Sequence, residues 1–238
     1  MDCVPTTNGV GIYEIEERPG GVGLTQAVNS QFTGLLAKTE AGWPEFGIVV
    51  SPRRKDGTDD FLWRPTVNPE TYQGALLIRA DPDEKEFHNL ALRSISSLCS
   101  KGDKSYGIEL GWWKSVERQE ELPWDEGFCL KPLQSSKCEG VHIFPPKGAR
   151  SSLGGSTCGQ IRQELRQRHE MYCQPYIHPK LWDNDGVQYF GIWRAFFGHD
   201  LIHRSWTPLG GVWNAVPNSL RVHGGKHAVF GPLVLAGR

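Results

Sequence analysis

The sequence has no long hydrophobic run. No apolar stretch approaches the roughly 18 residues that a membrane-spanning helix needs. The first residues include Asp2 and lack the apolar core of a secretory signal. We therefore expect a cytoplasmic protein with no membrane partner. A chain of 238 residues can bury a substantial core, either as one large domain or as two lobes.

Paired cysteines and a strong net charge are also missing. The six cysteines include no C-x-x-C pair and no cysteine–histidine pair at zinc-finger spacing, so neither a disulfide framework nor a structural zinc site is indicated. We expect reduced thiols. The formal net charge of -1 gives no overall field that would attract nucleic acid, so nucleic acid is not an expected partner.

Three acidic residues near the N-terminus form the first candidate site. Residues 11–16 alternate apolar and acidic side chains after a turn signal at 7–9, which predicts the return strand of a β-hairpin. Glu14 and Glu16 then share one face, and Asp2 on the opposing arm can lie across from them. Three carboxylates suit Mg²⁺, which prefers oxygen ligands. The alternative is a solvated acidic hairpin.

A lysine within an apolar strand is the second candidate. Residues 128–132 read Phe-Cys-Leu-Lys-Pro, and Lys131 can direct a compact positive charge at nucleotide phosphates. The following loop, 134–140, has small polar residues and a glycine whose backbone N–H groups can cap phosphates, with Lys137 as a second cation. The alternative for Lys131 is a strand lysine whose ammonium group reaches water.

Residues 172–177 predict a strand that leads into a hinge. Gln174 can bond the edge of an adenine ring, and Tyr176 belongs to the same candidate nucleotide-binding segment. An alternative for Gln174 remains equally open: a core strand glutamine that is hydrogen-bonded to its neighbours.

Two arginines are candidates for stabilising charge at a reacting centre. Arg194 and Arg204 lie in segments with strand-like composition, rich in aromatic residues, where a partly desolvated guanidinium group interacts more strongly. Cation–π packing is the alternative. Four histidines of this region do not form a compact ligand set, and we expect them at the surface or in turns: His199, His203, His223 and His227.

Several further elements follow from residue patterns. A helix is predicted over 24–36 after a glycine-rich turn, and buried strands over 46–51 and 75–79. Helical spacing also occurs over 87–99 and 158–170. The serine- and glycine-rich segment 151–156 is expected to be a loop that can cover a nucleotide.

The order of these motifs resembles the ATP-grasp superfamily. Within it, the chain is similar to the synthetase domain of glutathionylspermidine synthase and to circularly permuted ATP-grasp ligases. In those proteins an aspartate and an acidic strand precede an apolar-x-Lys-Pro strand, a glycine-bearing loop and an aromatic-x-Gln hinge that ends in proline. The matching residues of this chain are Asp2 and Glu14, Lys131 with the loop 134–140, and the segment 172–179.

The resemblance implies a fold, a reaction and site residues. The implied fold is α+β and ATP-grasp-like, with two α+β lobes that hold nucleotide between antiparallel sheets. The implied division is residues 1–122 for the metal-binding strand and acceptor side, and 123–238 for the nucleotide-binding lobe. The implied reaction is ATP-dependent joining of a small-molecule or peptide carboxylate to an amine through an acylphosphate, with ATP and Mg²⁺. The implied roles are metal binding by Asp2, Glu14 and Glu16, nucleotide binding by Lys131, Lys137, Gln174 and Tyr176, and catalysis by Arg194 and Arg204.

The chain departs from the family in three ways. Glu16 stands where asparagine is frequent, the segment 19–21 has no clear counterpart of the glutathione contacts, and family members carry more sequence before the first ligand. The chain is therefore expected to be either a fragment or a form with a reduced N-terminal lobe. Two other functions stay open: a nucleotide-binding or regulatory module without ligase activity, and an aromatic-rich β domain that binds carbohydrate or peptide, given nine tryptophans.

Overall fold

The computed structural model describes residues 1–14, 21–50, 67–68, 70–79, 108–110, 114–132, 140–147, 156–168, 170–201, 203–220, 222 and 227–236. They form an α+β fold with mainly antiparallel sheets, which confirms the predicted class at that level. No helix within these ranges is long and apolar enough to cross a membrane.

Strands predominate over helices among the described residues. The strands are β1 (Asp2–Pro5), β2 (Val10–Glu14), β3 (Phe46–Val50), β4 (Ala75–Arg79), β5 (Ile108–Leu110), β6 (Lys114–Val116), β7 (Phe128–Pro132), β8 (His142–Phe144), β9 (Met171–Pro175), β10 (Trp182–Asn184), β11 (Val187–Asp200), β12 (Ser205–Pro217) and β13 (Val229–Leu233). The helices are α1 (Val22–Val28), α2 (Ser30–Glu40) and α3 (Cys158–Arg168).

A seven-stranded sheet contains the predicted acidic hairpin. Its strand order is β13-β12-β11-β1-β2-β5, with β10 also paired to β11. The hairpin of β1 and β2 is confirmed, and β1 lies between β2 and β11. The sheet therefore takes strands from both sides of the predicted division at residue 122.

A four-stranded sheet in the order β6-β9-β7-β8 contains the predicted lysine strand and the strand that precedes the predicted hinge. Helix α3, predicted over 158–170, is confirmed and packs against this sheet through Ile161 and Leu165. The apolar core between them is closed to solvent, because β7 is buried along its whole length. Its buried members are Val116, Leu122, Phe128, Leu130, Phe144, Ile161, Leu165, Met171 and Cys173.

The helix predicted over 24–36 is two helices that meet at Asn29. Asn29 has an extended backbone conformation, and its side-chain oxygen accepts a hydrogen bond from the Phe32 N–H at 3.0 Å. This is the N-cap arrangement that asparagine favours, and it begins α2 while ending α1. Both helices lie against β11 and β12 through a buried cluster: Val22, Phe32, Leu36, Phe196 and Leu209.

The remaining predictions have mixed outcomes. Strands β3 and β4 form a parallel pair close to the predicted bounds. The predicted helix over 87–99 and most of the predicted covering loop, 151–155, lie outside the described residues.

Four cysteines are free thiols, as expected, and burial raises the pKa of Cys3 and of Cys173 to about 12. Cys99 and Cys138 lie outside the described residues.

The prediction of a strand around Arg204 is wrong. Strands β11 and β12 form one long hairpin, and the chain reverses between Asp200 and Ser205, which pair with each other. Arg204 lies in this turn, is exposed, and has a φ angle of 51°, a left-handed conformation that strands do not use. The turn is stabilised by Asp200, whose side chain accepts from the His203 N–H at 3.0 Å.

Candidate functional site

The seven-stranded and four-stranded sheets meet near the acidic hairpin. Cys3 of β1, Ile12 of β2 and Tyr172 of β9 form a buried cluster, and Trp193 of β11 packs against it. Strands β1, β2 and β11 of one sheet are thereby placed beside β7 and β9 of the other. This junction determines which charged side chains face each other.

A β-bulge sets the position of the first two carboxylates. Cys3 pairs with Ile12, but Asp2 pairs with Glu14, so the register skips Tyr13. In a regular antiparallel ladder Asp2 would lie opposite Tyr13. The extra residue instead brings Asp2 and Glu14 directly opposite each other, and bulges commonly redirect a side chain in this way.

Asp2 is held by Arg194 of the adjacent strand. The Arg194 Nε donates to Asp2 Oδ1 at 2.8 Å, and Nη2 donates to Asp2 Oδ2 at 2.6 Å, a bidentate pair. The Asp2 side chain is only 13% exposed. Burial acts to raise the pKa of Asp2, but the charge and hydrogen bonds of Arg194, together with the charge of the N-terminal ammonium group, more than offset it, so this pKa lies below its ordinary value.

Glu14 is held by Lys131 of the other sheet. The Lys131 Nζ donates to Glu14 Oε1 at 2.6 Å, and the two side chains are 10% and 15% exposed. The ammonium group also lies 5.8 Å from the centre of the Tyr13 ring. Lys131 is therefore directed into the junction between the sheets, and the alternative of a lysine that extends into water does not describe this geometry.

Gln174 joins the two sheets. It is fully buried, and its Nε2 donates to the carbonyl oxygen of Tyr13 at 2.9 Å. The Tyr13 hydroxyl accepts from the Ile177 N–H at 3.2 Å. The bulge at Tyr13 is thus fastened to β9 and to the segment that follows it. This geometry is that of a core glutamine bonded to its neighbours, the second of the two alternatives for Gln174.

The structure brings together four of the nine predicted site residues: Asp2, Glu14, Lys131 and Arg194. Gln174 lies beside them as the connection between the sheets, and Tyr176 follows it, half-buried, with a pKa raised by burial. Glu16 and Lys137 lie outside the described residues.

Arg204 does not join this group. Asp200 ends β11 six positions after Arg194, which separates the two residues by about 20 Å at 3.3 Å per residue. Arg204 lies in the turn that follows Asp200. The turn geometry therefore separates it from the four charged residues.

The carboxylates offer a suitable but small donor set for a metal. Within the described ranges no group of three or more His, Cys, Asp or Glu side chains could hold an ion. Mg²⁺, however, is usually bound by one or two carboxylates together with substrate phosphates and water. Asp2 and Glu14, directly opposite each other, fit that requirement.

A second polar cluster lies on the α3 side of the four-stranded sheet, and sequence reasoning missed it. His142 Nδ1 lies 3.0 Å from Ser156 Oγ, and Nε2 lies 3.5 Å from a carboxylate oxygen of Glu164, which also pairs with Arg168. Burial acts to raise the pKa of Glu164, but the hydrogen bonds from Arg168 and His142 leave that pKa lowered. The Ser156 N–H is bonded to Ile143 O at 2.8 Å, so the cluster fastens α3 to β8.

Comparisons with known proteins add no relative. No family model matches the chain, and searches of curated proteins and of solved structures found no match.

Proposed function

We propose that the chain is an ATP-dependent ligase that joins a carboxylate to an amine. In this reaction a carboxylate oxygen attacks the γ phosphate of ATP, ADP leaves, and an acylphosphate forms. The amine nitrogen then attacks the acyl carbon, the carbon–oxygen bond to phosphate breaks, and amide, inorganic phosphate and a proton are released. ATP-grasp chemistry of this kind depends mainly on positioning and charge stabilisation.

One observation carries the proposal. Two carboxylates and two cations from three separate parts of the chain meet at one junction: Asp2 with Arg194, 192 positions away, and Glu14 with Lys131, 117 positions away. Buried charges destabilise a fold unless they are paired, and apolar residues of similar volume often give a junction of equal or greater stability. Such clusters of ionisable groups concentrate at functional sites.

Each residue has a defined task in the proposed reaction. Lys131 binds phosphate oxygens as a compact point charge, and Arg194, with its planar fork of donors, binds the transferred phosphoryl group. Asp2 and Glu14 hold Mg²⁺. When bound, Mg²⁺ neutralises charge that develops on the phosphate oxygens. The buried Gln174 keeps the strands that carry Glu14 and Lys131 in place.

The first prediction is that ATP with Mg²⁺ stabilises the folded protein. A ligand at 100 times its dissociation constant adds about 2.7 kcal/mol to the free energy of unfolding. We expect a matching rise in melting temperature that EDTA largely removes, since the carboxylates hold nucleotide through the metal. Differential scanning fluorimetry with ATP, Mg²⁺ and EDTA in all combinations measures this.

The outcomes separate the possible functions. No shift with ATP would exclude the nucleotide site, and an equal shift with and without Mg²⁺ would exclude the metal role of Asp2 and Glu14. Stabilisation by ATP without ADP release, across panels of carboxylates and amines, would indicate the nucleotide-binding module without ligase activity.

An exposed aromatic group favours a second candidate function. Trp206 is 70% exposed and Phe197 is 45% exposed near the end of the β11–β12 hairpin. The ring of His199 lies 4.9 Å from that of Trp206, its register partner. Such rings can stack on carbohydrate or on peptide side chains. A Trp206→Ala variant that abolishes glycan or peptide binding, in a protein that ATP does not stabilise, would support this candidate.

A further inference from the structure

The two ion pairs occupy the oxygen atoms that a metal would use. Arg194 takes both carboxylate oxygens of Asp2, and Lys131 takes Oε1 of Glu14. A divalent cation that enters alone must displace these groups or accept a like-charged neighbour at close range. Because the side chains of Asp2, Glu14 and Lys131 are each at most 15% exposed, water screens that repulsion poorly.

A polyphosphate changes this balance. Its negative oxygens attract the same ammonium and guanidinium groups, which form charge-assisted hydrogen bonds to phosphate as well as to carboxylate. Once Lys131 and Arg194 turn toward phosphate, the oxygens of Glu14 and Asp2 become available for a metal. A metal held by these oxygens would supply positive charge that attracts the phosphate, so each ligand would favour the other.

We propose that Lys131 and Arg194 are internal counterions that make divalent-cation binding depend on polyphosphate. In the ligand-free protein they neutralise Glu14 and Asp2, and nucleotide phosphates exchange them for metal. This inference rests on the proposed nucleotide site. Linkage requires the coupling to be reciprocal: metal and polyphosphate must raise each other's affinity by the same factor.

The inference predicts that removal of the lysine improves metal binding. Lys131→Met deletes the positive charge and keeps an unbranched apolar side chain, which leaves Glu14 beside Asp2 without that counterion. We expect the affinity of nucleotide-free protein for Mn²⁺ to rise by about tenfold or more, because the repulsion between Lys131 and the metal is lost. The same change should lower the affinity for ATP in EDTA several-fold.

Mn²⁺ binding is measured at pH 7.5 by the loss of the free-ion signal in electron paramagnetic resonance, and ATP binding by calorimetry. Lys114→Met is the matched control, because Lys114 also lies on a strand of the four-stranded sheet but is exposed. It should change neither affinity. Arg194→Met is a second variant, which removes the guanidinium group from both oxygens of Asp2 and should also raise Mn²⁺ affinity.

The results distinguish this inference from the proposed function. If wild-type protein binds ATP with Mg²⁺ but Lys131→Met and Arg194→Met, both folded, gain no Mn²⁺ affinity, the counterion role is wrong and the nucleotide site stands. If both variants gain Mn²⁺ affinity while no form binds ATP, the carboxylates are a metal site held closed by the cations, and both the ligase proposal and the dependence on polyphosphate are wrong. Equal gains in Lys114→Met would mean that overall charge, and not the pairs, controls metal binding, which would also overturn the inference.

Discussion

At Asp2, opposing effects set the charge of the carboxyl group. Burial acts to raise its pKa, but Arg194 holds the pKa below the ordinary value of 3.8. A carboxyl group whose pKa is lower in the folded state stabilises the protein above its ordinary pKa, and the stabilisation is lost as pH falls through the lower folded value. The pair therefore contributes fully at neutral pH.

Asp2→Asn tests this contribution. We expect the free energy of unfolding at pH 7 to fall by about 1–3 kcal/mol, because a partly buried guanidinium loses its charged acceptor. The difference from wild type should stay constant between about pH 5 and 8, and shrink only below about pH 4, where the unfolded wild-type carboxyl also protonates. Urea denaturation at a series of pH values measures both.

The double variant Asp2→Asn with Arg194→Gln is the control. Removal of both charges should recover part of the loss, since no unpaired guanidinium remains. A difference that titrates near neutral pH, or no difference at any pH, would contradict the assignment of a lowered pKa to Asp2.

The positions of single residues on strands were predictable where apolar and polar side chains follow a regular local pattern. Alternation in residues 11–16 identified Glu14, and the apolar neighbours of Lys131 identified a strand lysine. The bulge at Tyr13 was not predictable, because nothing in the local pattern marks the skipped residue. The role of Gln174 was also left open, since its partner is the Tyr13 carbonyl, 161 positions away.

At the scale of elements, the β11–β12 hairpin depends on a close backbone approach at Gly211. A Cβ atom at this position would lie 1.9 Å from the carbonyl oxygen of Arg194. The Gly211 carbonyl also accepts from the buried Asn29 side chain at 2.8 Å, which ties the junction of α1 and α2 to β12. Gly211 therefore connects the position of Arg194 to the packing of the helices.

Gly211→Ala should be strongly destabilising. The backbone cannot yield without separating β11 from β12, so we expect a loss of about 2–4 kcal/mol in the free energy of unfolding. Gly34→Ala is the control, because Gly34 lies on α2 and a Cβ atom there would meet no other atom within 4 Å. It should stabilise the protein by about 0.5–1 kcal/mol, since alanine favours helix. Similar stabilities for both variants would refute the close approach.

Elements with strong periodicity followed from the sequence, and their ends depended on turn chemistry. Helix α3 and strands β3, β4 and β7 were expected near their observed positions. The break at Asn29 had a signal, since asparagine is a preferred N-cap, but the continuous helical spacing across it favoured one helix. Arg204 was placed in a strand because aromatic neighbours suggest strands, whereas Asp200 stabilises a turn there.

For the whole molecule, the arrangement of sheets depends on contacts between distant parts of the chain. Strand β1 pairs with β11, whose Arg194 lies 192 positions from Asp2. No local pattern predicts such a pairing, because strand edges of similar composition are interchangeable until tertiary packing selects one. The composition of the site was therefore predictable in part, whereas the pairing of each carboxylate with a cation required the structure.

The connection between the two sheets through Gln174 supports the last prediction. Gln174 and Tyr13 link β9 to β2, and Glu14 and Lys131 lie next to this link on β2 and β7. Gln174→Met keeps the side-chain length but deletes a hydrogen bond within the buried junction. We expect a loss of about 1–3 kcal/mol in the free energy of unfolding. The proposed function further predicts weaker ATP–Mg²⁺ binding, because the strands that position Glu14 and Lys131 are less firmly held.

Hydrogen exchange followed by mass spectrometry shows where the protein loosens. Peptides from β2 and β9 should exchange faster in Gln174→Met, while the β11–β12 hairpin keeps its protection, since local opening follows the contacts that are removed. Gln31→Met is the control. Gln31 is exposed, and the contacts described for it are two hydrogen bonds with the backbone of Leu235, so the free energy of unfolding should change by less than about 0.5 kcal/mol. Faster exchange throughout the molecule, or unchanged ATP binding despite the lost stability, would mean that Gln174 supports the core as a whole and does not position the charged pairs.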